Sequence, residues 1–259
     1  MKRSPRALLT LSLATLATSA SADISPDELP DPVAAITGHG VEVIDTFNAP
    51  GNLTGYAATL RGKPVAIYLT EDGQQAILGT MIGAQGEDLS AEPLERIVSG
   101  PQGEKAWEQV ESADWVRDGS EDAEVIIYEF TDPNCPYCHQ FWQQARPWVN
   151  AGKVQIRHIL VGILKQDSAP KAATILAADD PSAALNRSER NYDQGGIEVA
   201  DNIPDTARQK VADNNALMKS LGYFATPTIL YKKANGDVSV KQGLPQGNEV
   251  TEIFGSPKP

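Results

Sequence analysis

Apolar and polar positions alternate in blocks that predict a small β-rich unit, a helical stretch and a larger α/β unit. In the first block, residues 41–48 have the spacing of a half-buried strand, and 64–70 form a β-branched and aromatic run. An acidic-glycine turn at 71–73 separates that run from the strand-like 75–82, which is typical of a hairpin. We assign residues 23–85 to this unit and expect it to dimerise, because roughly sixty residues bury only a marginal core.

The next stretch, residues 86–119, has mainly helical periodicity. A Gly-Pro pair at 100–101 interrupts the pattern, and Trp107 and Trp115 recur at near-helical spacing. We interpret this stretch as a helical linker between two domains. Both tryptophans are expected to pack against a domain and not to bind a ligand.

Residues 120–259 predict an α/β fold built on one central sheet. A continuous apolar strand over 123–130 precedes a long helical pattern, and 154–164 form a second buried strand. The remaining predicted elements are a mainly helical block, a hairpin with an Asn-Gly turn and a short terminal helix, at 166–222, 228–243 and 248–254.

The first 22 residues have the pattern of a secretory leader. Lys2, Arg3 and Arg6 precede a short apolar core, which ends in the small-residue cleavage site Ala-Ser-Ala at 20–22. The core is too short to span a bilayer, and no later apolar run is long enough. We therefore expect export from the cytoplasm, cleavage after residue 22 and no membrane insertion.

Charge narrows the classes of partner. Removing the leader takes Lys+Arg from 22 to 19 while Asp+Glu stay at 34, which leaves a net charge of −15. Such a protein repels phosphate backbones, so we expect no nucleic-acid binding. The acidity either serves solubility or forms a rim that selects basic or unfolded partners.

The two cysteines of the chain lie in one motif, Cys135-Pro136-Tyr137-Cys138-His139. The motif fits disulfide exchange through C-x-x-C and also covalent haem attachment through C-x-x-C-H. A disulfide across one helical turn closes too short a loop to add much stability, so a chemical role explains the pair better than a structural one. A zinc site is disfavoured because it needs four ligands and the chain has no second C-x-x-C.

The motif follows a predicted strand and opens a predicted helix. There Cys135 would meet unpaired N–H groups and the positive end of the helix dipole, which lower a thiol pKa and favour a nucleophile. Pro136 suits the first helical turn, and Cys138, one turn deeper, is placed to resolve a mixed disulfide. His139 has three interpretations: a group that stabilises the thiolate, a solvent-facing helix residue, or a haem ligand with Met218 on the distal side.

A second signal favours disulfide exchange. Thr226-Pro227 stands immediately before a core strand and is a candidate cis peptide. In the thioredoxin fold such a loop lies against the C-x-x-C, where its backbone can pair with an extended substrate. We therefore predict that Cys135, Cys138, Thr226 and Pro227 form one site, with no metal or other cofactor.

With both signals in place, the chain resembles the periplasmic disulfide isomerases of the DsbC/DsbG type over essentially its whole length after the leader. The Pro136-Tyr137 pair between the cysteines is of the DsbG type, whereas His139 stands where other members carry Lys or a small residue. The segments that carry the resemblance are 46–56, 67–77, 130–155, 160–165, 225–231 and 242–245.

The resemblance implies a thioredoxin-like catalytic domain with a helical insertion, preceded by a small α+β dimerisation domain and a linker helix. It also implies a periplasmic homodimer whose Cys135 attacks, and whose Cys138 resolves, wrong disulfides or oxidised cysteines in unfolded or misoxidised secreted proteins. A membrane reductase of the DsbD type would keep the pair reduced, and chaperone activity would accompany the chemistry. Three alternatives stay open: a thiol-independent chaperone, a net disulfide oxidase and a c-type cytochrome.

Overall fold

The computed structural model describes residues 28–259, in which two β-sheets are joined by a long helix. The predicted leader, residues 1–22, lies outside the described residues. Among the described residues, no helix is both long and apolar enough to cross a membrane. The N-terminal unit contains α1 (Asp31–Thr37), β1 (Val41–Ala49), β2 (Leu53–Leu60), β3 (Lys63–Leu69) and β4 (Ala76–Leu78).

The four strands form an antiparallel sheet in the order β1-β2-β3-β4. The predicted hairpin of β3 and β4 is confirmed, although β4 is only three residues long. The central strand β2 was not predicted, because its Gly and Ala residues have little strand propensity. Small residues are needed there: a Cβ at Gly55 would come within 2.3 Å of the Phe47 ring.

A nearly continuous helix leads from this sheet to the next through α2 (Ala91–Leu94), a π-helical turn (Glu95–Ser99) and α3 (Gly100–Glu111). The predicted interruption at the Gly-Pro pair is therefore wrong. The π turn ends two residues before Pro101 and widens the backbone where the proline lacks an N–H and its ring would otherwise meet the preceding turn, so the helix continues.

The two tryptophans of this stretch pack as predicted. Trp107 meets Tyr128 edge to face at 4.9 Å, and Arg157 stacks on Trp115 at 4.6 Å. However, the predicted linker boundary at residue 119 is wrong, because β5 (Trp115–Asp118) pairs with a strand of the second sheet. A segment of four residues is too short for its two-residue strand period to be distinguished from the helical periodicity of the residues before it.

The second sheet has the order β5-β7-β6-β8-β9, in which only β6 and β7 are parallel. Strand, helix, strand, helical block, hairpin and terminal helix follow one another as predicted, and β7 ends four residues earlier than expected. The elements are β6 (Val125–Thr131), α4 (Pro136–Asn150), β7 (Val154–Leu160), α5 (Ser168–Leu176), α6 (Pro181–Arg190), a 3₁₀ turn (Tyr192–Gln194), α7 (Asp205–Ser220), β8 (Thr228–Lys232), β9 (Val238–Gln242) and α8 (Asn248–Ile253).

Helices cover both faces of this sheet. On one face, Phe141 of α4 and Phe254 beside α8 pack on Ile127. On the other face, α3 and α7 pack on Phe130 and its neighbours, with Met218 among them. Successive residues of β6 point to opposite faces, so the strand contributes to both layers of the core. A short turn then leads from the end of β6 to the start of α4. The C-terminal end of β6 and the first turn of α4 thus fix the position of the cysteine motif.

Candidate functional site

Cys135 is the N-cap residue of α4, as its position after a buried strand predicts. Its backbone is extended, at φ −82° and ψ 116°, and its sulfur accepts a hydrogen bond from the Cys138 N–H at 3.3 Å. The contact with the Cys138 thiol and the N–H groups of the first turn outweigh burial and lower the pKa of Cys135 to about 6. At neutral pH this thiol is therefore mostly the thiolate, which is the nucleophilic form.

Cys138 lies one turn deeper and has the opposite character. Its side chain is 1% exposed, and both cysteines are free thiols in this structure. Burial, followed by the contact with Cys135 and the charge of Glu129, raises the pKa of Cys138 well above its usual range. The two thiols of one motif are thus separated into an ionised sulfur and a protonated one.

The Thr226–Pro227 loop lies against the motif, as predicted. The peptide bond between these residues is cis, and the Cys135 thiol, when protonated, donates a hydrogen bond to the Thr226 carbonyl at 3.3 Å. The chain brings these groups together although they are 91 positions apart. Among the residues that the motifs single out, Cys135, Cys138, Thr226 and Pro227 therefore meet in one place.

His139 faces the helical insertion, which is the block of α5, α6 and α7 between β7 and β8, and does not face solvent. Its Nδ1 lies 2.8 Å from Glu189 Oε2, its Nε2 contacts Gln143, and its ring stacks on Tyr192 at 4.3 Å. The His139 side chain is only 12% exposed. The haem interpretation fails on geometry, because Met218 is buried in the core on the other face of the sheet and cannot ligate an iron held by His139.

A polar network that sequence reasoning missed holds the turn before Cys135. Asp132 accepts hydrogen bonds from the N–H groups of Ile163 and Leu164 at 2.8 and 3.0 Å and from the Ser168 hydroxyl at 2.7 Å. The Asp-Pro-Asn turn was the available signal, since Asp and Asn at such positions bond to nearby backbone. Its partners, 31 to 36 positions away, could not be inferred from the sequence.

Asn134, directly before Cys135, is held by the insertion. Its amide donates to Asp167 and Ser168, and its side-chain oxygen accepts from the ammonium group of Lys171 at 2.9 Å. The Tyr192 hydroxyl donates to its backbone carbonyl at 3.1 Å. The insertion therefore fixes the backbone that carries the nucleophilic thiol.

Exposed apolar side chains surround this site. Tyr137 projects from the motif itself and is 56% exposed, and Phe224, two residues before Thr226, is 68% exposed. Ile163 and Leu164 are also exposed, on the loop that Asp132 holds. Among the described residues, no group of three or more His, Cys, Asp or Glu side chains is arranged to hold a metal ion.

The chain is similar to proteins of a known family over most of its length. A family model for a thioredoxin-like domain matches residues 117–255, which confirms the predicted thioredoxin-like fold. The thiol:disulfide interchange protein DsbG of Pseudomonas aeruginosa is 44% identical over 253 residues, covering 98% of this chain and 99% of its own. DsbG of Escherichia coli is 42% identical over 230 residues, covering 89% and 93%.

Among solved structures, the catalytic domain of Proteus mirabilis ScsC aligns with a TM-score of 0.46 at 19% identity. The alignment covers 58% of this chain and 96% of that domain.

Proposed function

This chain belongs to the DsbG family of thiol:disulfide interchange proteins, and we propose that it isomerises or reduces wrong disulfides and oxidised cysteines in secreted proteins. Cys135 is the attacking thiol and Cys138 the resolving one. The observation that carries this assignment is the opposite protonation of the two thiols: Cys135 has a pKa of about 6, whereas the pKa of Cys138 lies well above the usual thiol range. Only Cys135 is a ready nucleophile at neutral pH.

The reaction has two outcomes after the first step. The Cys135 thiolate attacks one sulfur of a substrate disulfide, forms a mixed disulfide and releases the other sulfur as a thiolate. If a substrate thiol attacks next, Cys135 is regenerated and the substrate disulfide has been rearranged. If Cys138 attacks, the substrate leaves reduced and the enzyme retains a Cys135–Cys138 disulfide. The low pKa of Cys135 also makes it a good leaving group in either outcome.

The apolar rim of the site supports an unfolded polypeptide as substrate. Tyr137, Phe224, Ile163 and Leu164 expose apolar surface around the thiolate, and folded proteins bury such side chains. An unfolded segment offers apolar side chains to this rim and an extended backbone to the Thr226–Pro227 loop. The same rim supports chaperone activity beside the thiol chemistry.

The N-terminal sheet supports a homodimer. Its edge strand β4 leaves one side without a neighbouring strand among the described residues, and Ile77, Leu78 and Ile82 are exposed along it. An exposed apolar edge strand is a template for pairing with another chain. The dimer would work in the periplasm, where the predicted leader sends it, with a membrane reductase of the DsbD type returning Cys135 and Cys138 to the thiol state.

Substitution of each cysteine tests the two roles. Cys135→Ser should abolish exchange with a scrambled disulfide protein, because no thiolate remains to attack. Cys138→Ala should accumulate mixed disulfides with substrates, visible as covalent adducts on non-reducing gels. If Cys138→Ala forms no adducts, the assigned roles are wrong.

Substitution of both cysteines tests the thiol-independent chaperone, which the apolar rim favours as a second function. A variant without either thiol should still slow aggregation of an unfolded client while losing all disulfide exchange. If protection disappears together with the thiols, the rim alone does not hold clients.

A further inference from the structure

A cavity of about 710 Å³ lies between the N-terminal unit and the catalytic sheet. Its walls are the turn end of the β2–β3 hairpin, the side of the long helix at the π turn and α3, the loop that follows α7, and β9. Segments that are far apart in the chain therefore enclose one space. The thiol chemistry described above leaves this space without a role.

The strand β9 presents its outer edge to this cavity. It is the last strand of the catalytic sheet, so only one of its sides pairs with β8. In an antiparallel pair the backbone groups of alternate residues point toward the neighbouring strand. The Gly243 N–H donates to the Pro227 carbonyl at 2.7 Å, which assigns Gly243 and Lys241 to the paired side. The N–H and C=O groups of Val240 and Gln242 therefore point away from β8.

These outward backbone groups are available to another chain. Among the described residues, the N–H and C=O groups of Val240 and Gln242 have no hydrogen-bond partner on the side away from β8. Ser239 and Val240, which point to opposite faces of the sheet, both line the cavity, so the cavity follows the strand edge. The edge closes where a Cβ at Gly103 would lie 2.8 Å from the Val238 carbonyl oxygen. An unpaired strand edge is a template for an extended chain.

The lining of the cavity is basic although the chain is acidic. Three cationic side chains line it: Arg61 of the β2–β3 turn, Lys63 at the start of β3 and Lys105 of α3. Among the described residues, none of these three forms an ion pair. The carboxylate in the lining, Glu95, is paired with Lys233 at 2.7 Å. The whole chain has 34 Asp and Glu against 22 Lys and Arg, so this local excess of cations is the reverse of its average.

The cavity is continuous with the rim of the thiol site. Phe224, which belongs to the exposed apolar rim, also lines the cavity. Its N–H donates to the Gln242 side chain at 3.1 Å, and the Lys63 ammonium group lies 5.4 Å from the centre of its ring. Thr226 follows two residues later and contacts the Cys135 sulfur through its carbonyl. A polypeptide that crosses Phe224 therefore passes from the cavity to the thiol site.

We propose that this cavity is a second substrate site, which binds an extended acidic segment of an unfolded protein. The segment pairs with the outer edge of β9 at Val240 and Gln242, and its carboxylates face the three cations of the lining. This inference rests on the proposed function, because the bound segment belongs to the protein whose disulfide Cys135 attacks. Binding in the cavity raises the local concentration of that disulfide at Cys135 without a contact to either thiol.

The chemistry of the cavity selects the class of segment. Pairing with a strand edge uses the main chain of the partner, so it recognises an extended segment and not one particular sequence. Folded proteins cover or pair their strand edges, so an unfolded protein is the one that offers such a segment. Exposed ion pairs contribute little each, so the cations set a preference for acidic segments and the main chain supplies most of the affinity.

Binding at the cavity can be measured without thiol chemistry. The probe is a fluorescein-labelled peptide of about ten residues with alternating Glu and Val and no cysteine, titrated with the full-length protein. Fluorescence anisotropy should show saturable binding that weakens as NaCl is raised from about 20 mM to about 500 mM. The same peptide with Lys in place of each Glu should bind at least about tenfold more weakly, because it meets like charges.

Substitutions in the cavity separate backbone pairing from charge. Val240→Pro removes an outward N–H that the ladder to β8 does not use, and should weaken binding of the Glu–Val peptide about tenfold, whereas Val240→Ala keeps that N–H and should bind within about twofold of wild type. Lys63→Glu and Lys105→Glu should each weaken binding about three- to tenfold. Lys153→Glu makes the same charge change at an exposed lysine outside the cavity and should bind as wild type. Far-UV circular dichroism checks that each variant is folded.

The rate of disulfide exchange connects the cavity to the thiols. Two peptides carry the same internal disulfide, one followed by a Glu–Val tail and the other by a Lys–Val tail. The wild-type protein should reduce the acidic-tailed peptide with a kcat/KM at least about fivefold higher, because the tail holds the disulfide near Cys135. Lys63→Glu should remove most of this difference, and Lys153→Glu should retain it.

The outcomes distinguish this inference from the proposed function. If the acidic probe binds no tighter than the lysine probe, or if Lys63→Glu and Lys105→Glu bind it as wild type does, the inference is overturned, whether or not Val240→Pro folds. Binding of the probe without a faster reduction of the acidic-tailed peptide also overturns it, because the cavity then does not serve the substrate. If the wild-type protein binds the probe but reduces neither tailed peptide, the proposed function fails, while binding at the cavity is retained.

Discussion

At the scale of single residues, the two thiols of one short motif differ because of where their sulfur atoms lie. Cys135 is an N-cap, so N–H groups of the first helical turn point at its sulfur and stabilise a negative charge. Cys138 is inside the helix and buried, so water cannot solvate its thiolate. Both side chains are almost fully buried, at 2% and 1% exposed, so the difference lies in the backbone N–H groups that reach the sulfur of the N-cap residue.

The low pKa of Cys135 predicts how its alkylation depends on pH. Only the thiolate reacts, so the iodoacetamide rate of the reduced protein should rise with pH through a midpoint near 6 and level off above about pH 7. Mass spectrometry should find the label on Cys135, with Cys138 unmodified. A midpoint above about 8 would contradict the stabilising role of the helix N-terminus.

The contact between His139 and Glu189 predicts that the two side chains stabilise the fold together. We expect it to have only a small effect on the pKa of Cys135. Both side chains are almost buried, and His139 Nδ1 lies 2.8 Å from Glu189 Oε2. A double-mutant cycle of His139→Gln and Glu189→Gln, followed by urea unfolding, should give a coupling of about 1–3 kcal/mol. Because the two ring nitrogens of His139 contact Glu189 and Gln143, His139→Gln should move the Cys135 alkylation midpoint by less than about half a pH unit. A larger movement would make His139 a tuner of the thiol.

At the scale of elements, the helical insertion is part of the active-site support. Residues of α5 and of the turn before it bond to Asn134 and Asp132, and Tyr192 after α6 bonds to the Asn134 carbonyl. The insertion therefore holds the backbone on one side of Cys135, while α4 and the Thr226–Pro227 loop hold the others. The same bonds position the exposed loop at Ile163–Leu164.

Removal of the Lys171 ammonium group tests this support. Lys171→Met leaves the Asn134 oxygen buried without its charged donor, which should cost about 1–3 kcal/mol in the free energy of unfolding. Backbone amides of residues 163–168 should also exchange hydrogen faster. Lys165→Met removes an exposed lysine of the same loop and should change stability by less than about 0.5 kcal/mol. Equal effects of the two substitutions would contradict a specific role for Lys171.

At the scale of the whole molecule, the long helix belongs to both units. Val98 of its π turn packs into the N-terminal core, whereas Trp107 and Val110 of α3 pack into the catalytic core. Lys233, after β8, pairs with Glu95 of the same π turn at 2.7 Å. The two sheets are thus connected through packed side chains as well as through the chain itself.

The exposed edge of the N-terminal sheet predicts the effect of a charge on assembly. Leu78→Lys places an ammonium group on β4, which should convert a dimer to a monomer in size-exclusion chromatography with light scattering. Val199→Lys is a matched control, since Leu78 and Val199 are 43% and 42% exposed and Val199 lies in the insertion. The control should leave the molar mass unchanged. A wild-type protein of monomer mass at micromolar concentration would refute the homodimer.

Much of the fold and part of the site could be predicted from the sequence. Apolar runs located β6 and β7, because short apolar runs bounded by turn residues are typical of buried strands, and the Asn-Gly turn located the β8–β9 hairpin. The strand β2 was missed because its alanines and Gly55 suit a tightly covered strand and have low strand propensity. The four-residue β5 was assigned to the helical linker, since its pairing with β7 is a long-range contact that local pattern does not record.

The sequence by itself determined the chemistry: two cysteines three residues apart at a helix start, and Thr226-Pro227 before a distant strand. Each of these signals is local by itself, because the thiol spacing, the helix N-terminus and the Thr-Pro pair depend only on neighbours along the chain. Only the tertiary structure decided how the thiols are supported, through Glu189 at His139, Lys171 at Asn134 and the pair Glu129–His158 under Cys138. Each of those contacts joins segments about 30 to 50 residues apart, so it exists only once the sheet and the insertion have packed around the motif.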